Sequence, residues 1–216
     1  MSTFFSTAKM CVLCKRVHEY TQIESTNTFG ASDLDLRPAE MLRSTMPLWV
    51  EECPFCGYVS RNVSELPDEM AEIKQMKAFV STESYQNAEG NVFANGLAAK
   101  FYKKYMLCKE FGNKEGACFA LLSASWACDD VNDKEKSKMC REMALEILKT
   151  LKIRGKKKDD FKLQRIDMMR RVGRFDEVIR QYSGKIYFDK QFKRIVKFQI
   201  EKSKLKDDGC YTIEDV

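Results

Sequence analysis

Two Cys-x2-Cys pairs constrain this chain more than any other feature. "CVLC" occupies residues 11–14 and "CPFC" residues 53–56, with 38 residues between them. Each pair can grip one metal ion from a tight turn, and four thiolates complete the tetrahedral shell that zinc takes in closed structural sites. In "ECPFCGYVS", Gly57 directly follows Cys56 and can take a positive φ at no steric cost, so backbone N–H groups can turn toward the sulfurs. Pro54 stiffens that turn. In the first knuckle Lys15 stands where the glycine would be, and Lys15 with Arg16 partly offsets the charge of a four-thiolate zinc. The expected ligands are Cys11, Cys14, Cys53 and Cys56, holding one structural zinc per chain. The insert exceeds the usual spacing of compact CxxC…CxxC sites, so the segment between the knuckles is a loop pinned at both ends.

Other uses of these cysteines fit less well. Neither pair follows a strand inside a βαβ pattern, which argues against a thioredoxin-type redox motif. His18, the sole histidine, lies four residues past Cys14 and is an alternative fourth ligand; the other reading places it on a strand face. A catalytic zinc keeps an open position for water, and four cysteines leave none.

The same residues narrow the remaining chemistry. With one histidine, a nucleophilic triad could be built only around His18, and no nucleophile elbow lies near it. The phosphate-loop and dinucleotide-binding glycine frames are absent. "SDLDLR", residues 32–37, places Asp33 and Asp35 between Leu34 and Leu36, with Arg37 able to pair with either acid. It reads either as a carboxylate pair for catalysis or as an ion-paired turn that orders the loop.

Composition sets the wider bounds. The chain has 216 residues, 44% hydrophobic and 32% charged, enough for one large or two small globular domains. No apolar run is long enough for a membrane span, and the N-terminus lacks a basic then apolar leader, so the expected location is cytoplasmic. Outside an oxidising compartment, nine cysteines favour metal binding over disulfides. Cys108, Cys118, Cys128, Cys140 and Cys210 read as small buried hydrophobes in reduced form. Residues 151–206 hold 19 basic and 7 acidic residues, whereas the preceding 150 are slightly acidic. That basic segment raises nucleic-acid binding as an alternative, with Lys193, Arg194 and Lys197 as the contact residues.

The periodicity divides the chain into a zinc-ribbon-like module over residues 1–65 and an α-helical region over 66–216. "VHEYTQIEST", "MPLWVEE" and "GYVSRNVS" read as strands, and "NTFGASDLDLRPAE" as an irregular loop. Pro67 opens the first expected helix, and residues 85–91 form a connecting loop. Phe93, Leu97, Phe101, Tyr105 and Cys108 then share one helical face, and "EGACFALLSASWACDD" is the central core helix. Met139, Met143, Ala144, Ile147, Leu148 and Leu151 form the stripe of the next helix. A basic break, "RGKKK", follows, and Phe188, Phe192, Ile195 and Ile200 line the last helix. "MMRRVGRFDEVIRQY" carries the helix–Gly–x–aromatic–acidic–helix turn of tetratricopeptide (TPR) repeats, whereas the preceding pair is stretched by "DDVND" and lacks a turn glycine.

The order of these features resembles the bacterial family known as domain of unknown function 2225. The resemblance rests on "SDLDL", "MPLWVEECPFCGYVS", "LLSASWACDD", "MALEIL", "MMRRVGRFDEVI" and the closing "KDDGCYTIEDV". It implies zinc on Cys11, Cys14, Cys53 and Cys56 and a helical region behind, singles out Asp33 and Asp35, and implies no reaction. The chain is expected to be mainly α, with a small β zinc-ribbon-like module and TPR-like antiparallel hairpins. The expected role is a non-catalytic scaffold binding a protein or peptide partner. The alternatives are a nucleic-acid-binding regulator and an enzyme using the carboxylates of the 32–37 loop.

Overall fold

The computed structural model describes residues 1–66, 72–88, 92–152, 157–185 and 189–216. The expected helix start at Pro67, part of the 85–91 loop, residues 154–156 of the basic break, and Phe188 lie outside these. The N-terminal region is built from two hairpins with a knuckle at each tip. β1 (Thr3–Met10) pairs antiparallel with β2 (Val17–Ser25), and the ladder runs to Met10 opposite Val17, just outside the first knuckle. β3 (Glu51–Glu52) pairs with β4 (Val59–Ser60) around the second. The alternation in "VHEYTQIEST" identified β2, but β1 lies upstream of the expected strands. Its sequence "TFFSTAKM" alternates only weakly, and the strand exists because β2 supplies a partner. "MPL" is not extended: residues Arg43–Leu48 form a 3-10 helix, held by the Thr45 hydroxyl on the Leu42 carbonyl and by Trp49 Nε1 on Thr45 Oγ1 at 2.9 Å.

The rest is mostly helical. α1 (Ile73–Val80) and the single turn α2 (Glu83–Gln86) lead into α3 (Gly96–Glu110), α4 (Lys114–Asp130), α5 (Lys134–Thr150), α6 (Lys157–Arg171), α7 (Phe175–Tyr182) and α8 (Lys190–Lys204). Four starts are set by side-chain caps: Asn95, Asn113, Asp133 and Asp189 each accept a backbone N–H of the first turn. Asn95 therefore starts α3 later than the expected periodic run, which begins at Phe93. Phe93 is buried, but it precedes α3 rather than riding on it.

Three helix connections share one geometry. Gly112, Asn132 and Gly173 each take a positive φ, and the N–H of the next residue returns to a carbonyl five residues back: Asn113 to Cys108, Asp133 to Cys128, Arg174 to Met169. The "DDVND" turn is therefore not stretched. Asn132, one of the few non-glycine residue types that enter this conformation readily, replaces the missing glycine.

A single apolar core runs from Cys11, Leu13, Met46 and Tyr58 through Phe101, Leu121 and Trp126 to Met169 and Val178. α4 is its centre, buried from Ala117 through Cys128 apart from Phe119. α5 buries Ser137, Cys140, Arg141, Ala144, Leu145 and Leu148, while Met139, Met143 and Ile147 are only partly covered. The face is rotated from the expected stripe because Arg141 points inward, and apolar periodicity does not register a buried arginine. No described helix is long and apolar enough to cross a membrane.

Asn95 also ties α3 to α4, since its Nδ2 donates to the Ala127 carbonyl at 2.8 Å. Asn95→Ala should lower unfolding free energy in urea by about 1–2 kcal/mol through loss of the cap and this bond. A loss indistinguishable from zero would show that neither contact contributes.

Candidate metal centre and the buried acidic loop

The first knuckle closes by the Lys15 N–H on the Cys11 carbonyl and the Cys11 N–H on the Arg16 carbonyl, both 2.9 Å. The second repeats this with Gly57 on Cys53 at 2.9 Å and Cys53 on Tyr58 at 2.8 Å. Lys15 and Gly57 take φ of 63° and 73°, so the lysine adopts the conformation its glycine counterpart reaches freely. Backbone N–H groups face the sulfurs: those of Leu13 and Cys14 toward Cys11, that of Arg16 toward Cys14, and that of Tyr58 toward Cys56.

The four Sγ atoms of Cys11, Cys14, Cys53 and Cys56 lie within 4.8 Å of one another. Cys11 and Cys56 are 3.7 Å apart, and Cys14 and Cys53 are 3.6 Å apart. A tetrahedron of sulfurs about 2.3 Å from a central ion has edges of about 3.8 Å. The cluster therefore has the size of a four-thiolate metal shell. Burial pushes the Cys11 and Cys56 thiols up; it acts on Cys14 too, where hydrogen bonds from the Arg16 N–H and neighbouring thiols bring the thiol lower. Four thiolates gathered in this setting need a cation, and these residues fit one.

The second hairpin is fixed to its surroundings through two adjacent acids. Buried Glu51 accepts Lys9 Nζ at 2.5 Å, Gln22 at 2.7 Å and the Val63 N–H at 3.0 Å, joining it to β1 and β2. Glu52 accepts Lys103 Nζ of α3 at 2.7 Å, and Tyr85 donates its hydroxyl to the Gly57 carbonyl at 3.1 Å.

Between the knuckles, the "SDLDLR" loop is a tight turn closed by the Leu36 N–H on the Asp33 carbonyl and the Asp33 N–H on the Arg37 carbonyl. Asp33, Asp35 and Arg37 are buried, at 2%, 0% and 5% exposure. Arg37 pairs with neither loop acid through its side chain but reaches Asp130 at the end of α4, at 2.6 Å. Asp33 accepts Arg43 at 2.5 Å and the Cys210 thiol at 3.5 Å; burial raises its carboxyl although Arg43 pulls the other way. Asp35 Oδ2 accepts Trp126 Nε1 at 2.8 Å, Arg171 at 3.2 Å and Arg141 at 3.3 Å. Asp129 bridges the same two arginines at 2.6 and 2.8 Å. The chain end docks on this loop, with the Leu34 N–H on the Tyr211 carbonyl and the Ile213 N–H on the Ser32 carbonyl.

Sequence reasoning placed the loop acids but missed their partners Trp126, Asp129, Arg141 and Arg171. The available signal was weak: two acids at the end of an apolar helix and arginines inside otherwise apolar faces. His18 is exposed on β2, its ring edge-on to Tyr20 at 5.2 Å and to Phe55 at 6.2 Å, and it is not among the clustered metal-binding groups. Lys193, Arg194 and Lys197 share the exposed face of α8, far in the chain from the cysteines. No family model, curated protein or solved structure matches this chain.

Two outcomes test the buried cluster. Asp35→Ala should cost about 3–5 kcal/mol in urea unfolding, because Arg141, Arg171 and the Trp126 N–H lose a buried acceptor. Burial alone would raise the Asp129 carboxyl, but Arg141, Arg171 and Ser137 hold it below its ordinary 3.8. Its contribution is therefore complete above that value and is lost as the pH falls below it. Asp129→Asn should be less stable than the parent at neutral pH, with the gap closing on acidification; a gap independent of pH would contradict the assignment.

Proposed function

We propose that this chain is a non-catalytic scaffold in which one structural zinc ion clasps the two knuckles and fixes the acidic loop between them. The observation that carries this reading is the four-sulfur cluster at tetrahedral spacing, with the N–H groups of both knuckles turned toward it. A four-thiolate shell suits zinc or iron, and among divalent ions zinc binds such a site more tightly than iron. Such a shell leaves no position for water or substrate. The loop carboxylates support the same reading, since Asp33 and Asp35 are both buried against cationic partners rather than presented to solvent.

The partner is a protein or peptide, and the β1–β2 hairpin supports this better than the helical surface. Among the described residues each of its strands has one neighbour only, and Phe4, Phe5, Met10 and Val17 are each about half exposed. An open edge flanked by apolar side chains suits strand addition. A nucleic-acid role has one supporting observation, the exposed row of Lys193, Arg194 and Lys197 on α8. Arg194 itself donates to the Val216 carbonyl and Lys197 pairs with Glu201, and many of the segment's other cations have internal partners: Arg165 donates to Tyr182, Arg170 and Arg171 to Asp167, Asp35 and Asp129, and Lys202 to Tyr211.

Metal analysis of the purified protein should give one zinc per chain. Cys53→Ser, or a strong chelator, should release it and lower the thermal midpoint, whereas a metal-free protein of unchanged stability would sink the reading. Met10→Lys with Phe5→Lys should abolish cross-linking to the partner in source cells without changing the zinc content. Loss of nucleic-acid affinity on neutralising Lys193, Arg194 and Lys197, with a steep salt dependence in the parent, would instead favour the basic helix.

A further inference from the structure

A cavity of about 480 Å3 lies beside the acidic loop, between the N-terminal module and α3 and α4. Its volume falls within the range of small-molecule sites. Trp49, Trp126 and Phe119 line it, together with Leu36 and other aliphatic residues of the loop and the 3-10 helix. Trp126 is held by its N–H on Asp35, and Phe119 stands edge-on to it at 6.2 Å while remaining 46% exposed.

Two cations share this apolar lining. Lys104 from α3 and Arg61 from the segment after β4 both border the cavity. Neither has a hydrogen-bond or ion-pair partner among the described residues, in contrast to Lys103 one position away, which is paired with Glu52. Burial lowers the Lys104 ammonium below its ordinary value; Cys108 acts in the opposite sense and the nearby Arg61 charge in the same sense as burial.

The loop adds an independent observation. Leu36 sits at φ 67°, a left-handed conformation that a glycine would adopt freely and that is strained for a residue with a side chain. Such strain recurs at ligand clamps, and here the strained residue places its side chain on the cavity wall.

We propose that this cavity binds a small amphipathic carboxylate, its apolar body against Trp49, Trp126 and Phe119 and its carboxylate held by Lys104 and Arg61. A neutral apolar ligand would leave both cations uncompensated, and a small inorganic anion would leave the aromatic lining unfilled. The site lies apart from the cysteines and from the outer edge of β1. Its failure would therefore leave the zinc scaffold standing, and failure of the scaffold would leave it standing in turn.

The chain contains two tryptophans, and both line the cavity, so intrinsic emission reports on it directly. Titration of the zinc-loaded protein with octanoate should change tryptophan emission saturably. Octanamide, the neutral isostere, should bind at least about tenfold more weakly, and inorganic phosphate at matched concentration should leave the emission unchanged. Lys104→Met should weaken octanoate about tenfold with the circular dichroism spectrum and urea midpoint retained. Arg61→Gln, at an exposed position, provides a second variant should Lys104→Met fold poorly, and it should weaken binding in the same direction. Non-saturable octanoate titration, equal affinity for octanamide, a phosphate response matching that of octanoate, or undiminished octanoate affinity in the folded variants would overturn the proposal.

Discussion

Four sulfur atoms at tetrahedral spacing set the constraint on which the rest of this structure depends. Residues 11–14 and 53–56 bring four sulfurs into a cluster that could hold one metal ion; in the absence of a cation, burial and mutual repulsion disfavour the charged forms. The knuckle geometry is strict enough to force Lys15 into a left-handed conformation, at a cost of about 1–2 kcal/mol. Once the knuckles are joined, the segment between them is a closed loop with both ends fixed. Its middle can then be driven into the helical core, which an untethered polar turn would not enter.

What the loop carries inward is charge. Asp35 and Asp129 together hold Arg141 and Arg171, so segments far apart in sequence converge on one buried set of ion pairs. Buried ion pairs add little net stability over an apolar core, yet removal of one member leaves the others uncompensated. This arrangement therefore specifies geometry: it fixes which helices face the loop and closes the chain end over it. The same cluster holds Trp126 by its N–H, which sets the floor of the neighbouring cavity.

Much of this was legible in the residues. The cysteine spacing marked the four residues that cluster, alternation marked β2, and the apolar run 117–128 marked the central helix, because each depends on local pattern alone. The sense of the loop was legible only in part. "SDLDLR" showed acids beside apolar residues, but their burial depends on Arg141 and Arg171, which lie more than 100 residues away and look like surface charges on an amphipathic helix. For the same reason the basic excess of the C-terminal segment overstated its outward charge, since Arg170 and Arg171 turn inward. β1 was missed because a strand with weak alternation is defined by its partner rather than by itself. Asn132 hid a regular turn, because glycine is the residue that usually marks this conformation in a sequence.

The central claim is that the two knuckles form one closed four-thiolate zinc site. X-ray absorption at the zinc edge of the purified protein tests it most directly. The account predicts a single first shell of four sulfurs at about 2.3 Å with no lighter scatterer. A shell containing nitrogen or oxygen donors would open a position for ligand or water and contradict the claim, as would iron in place of zinc.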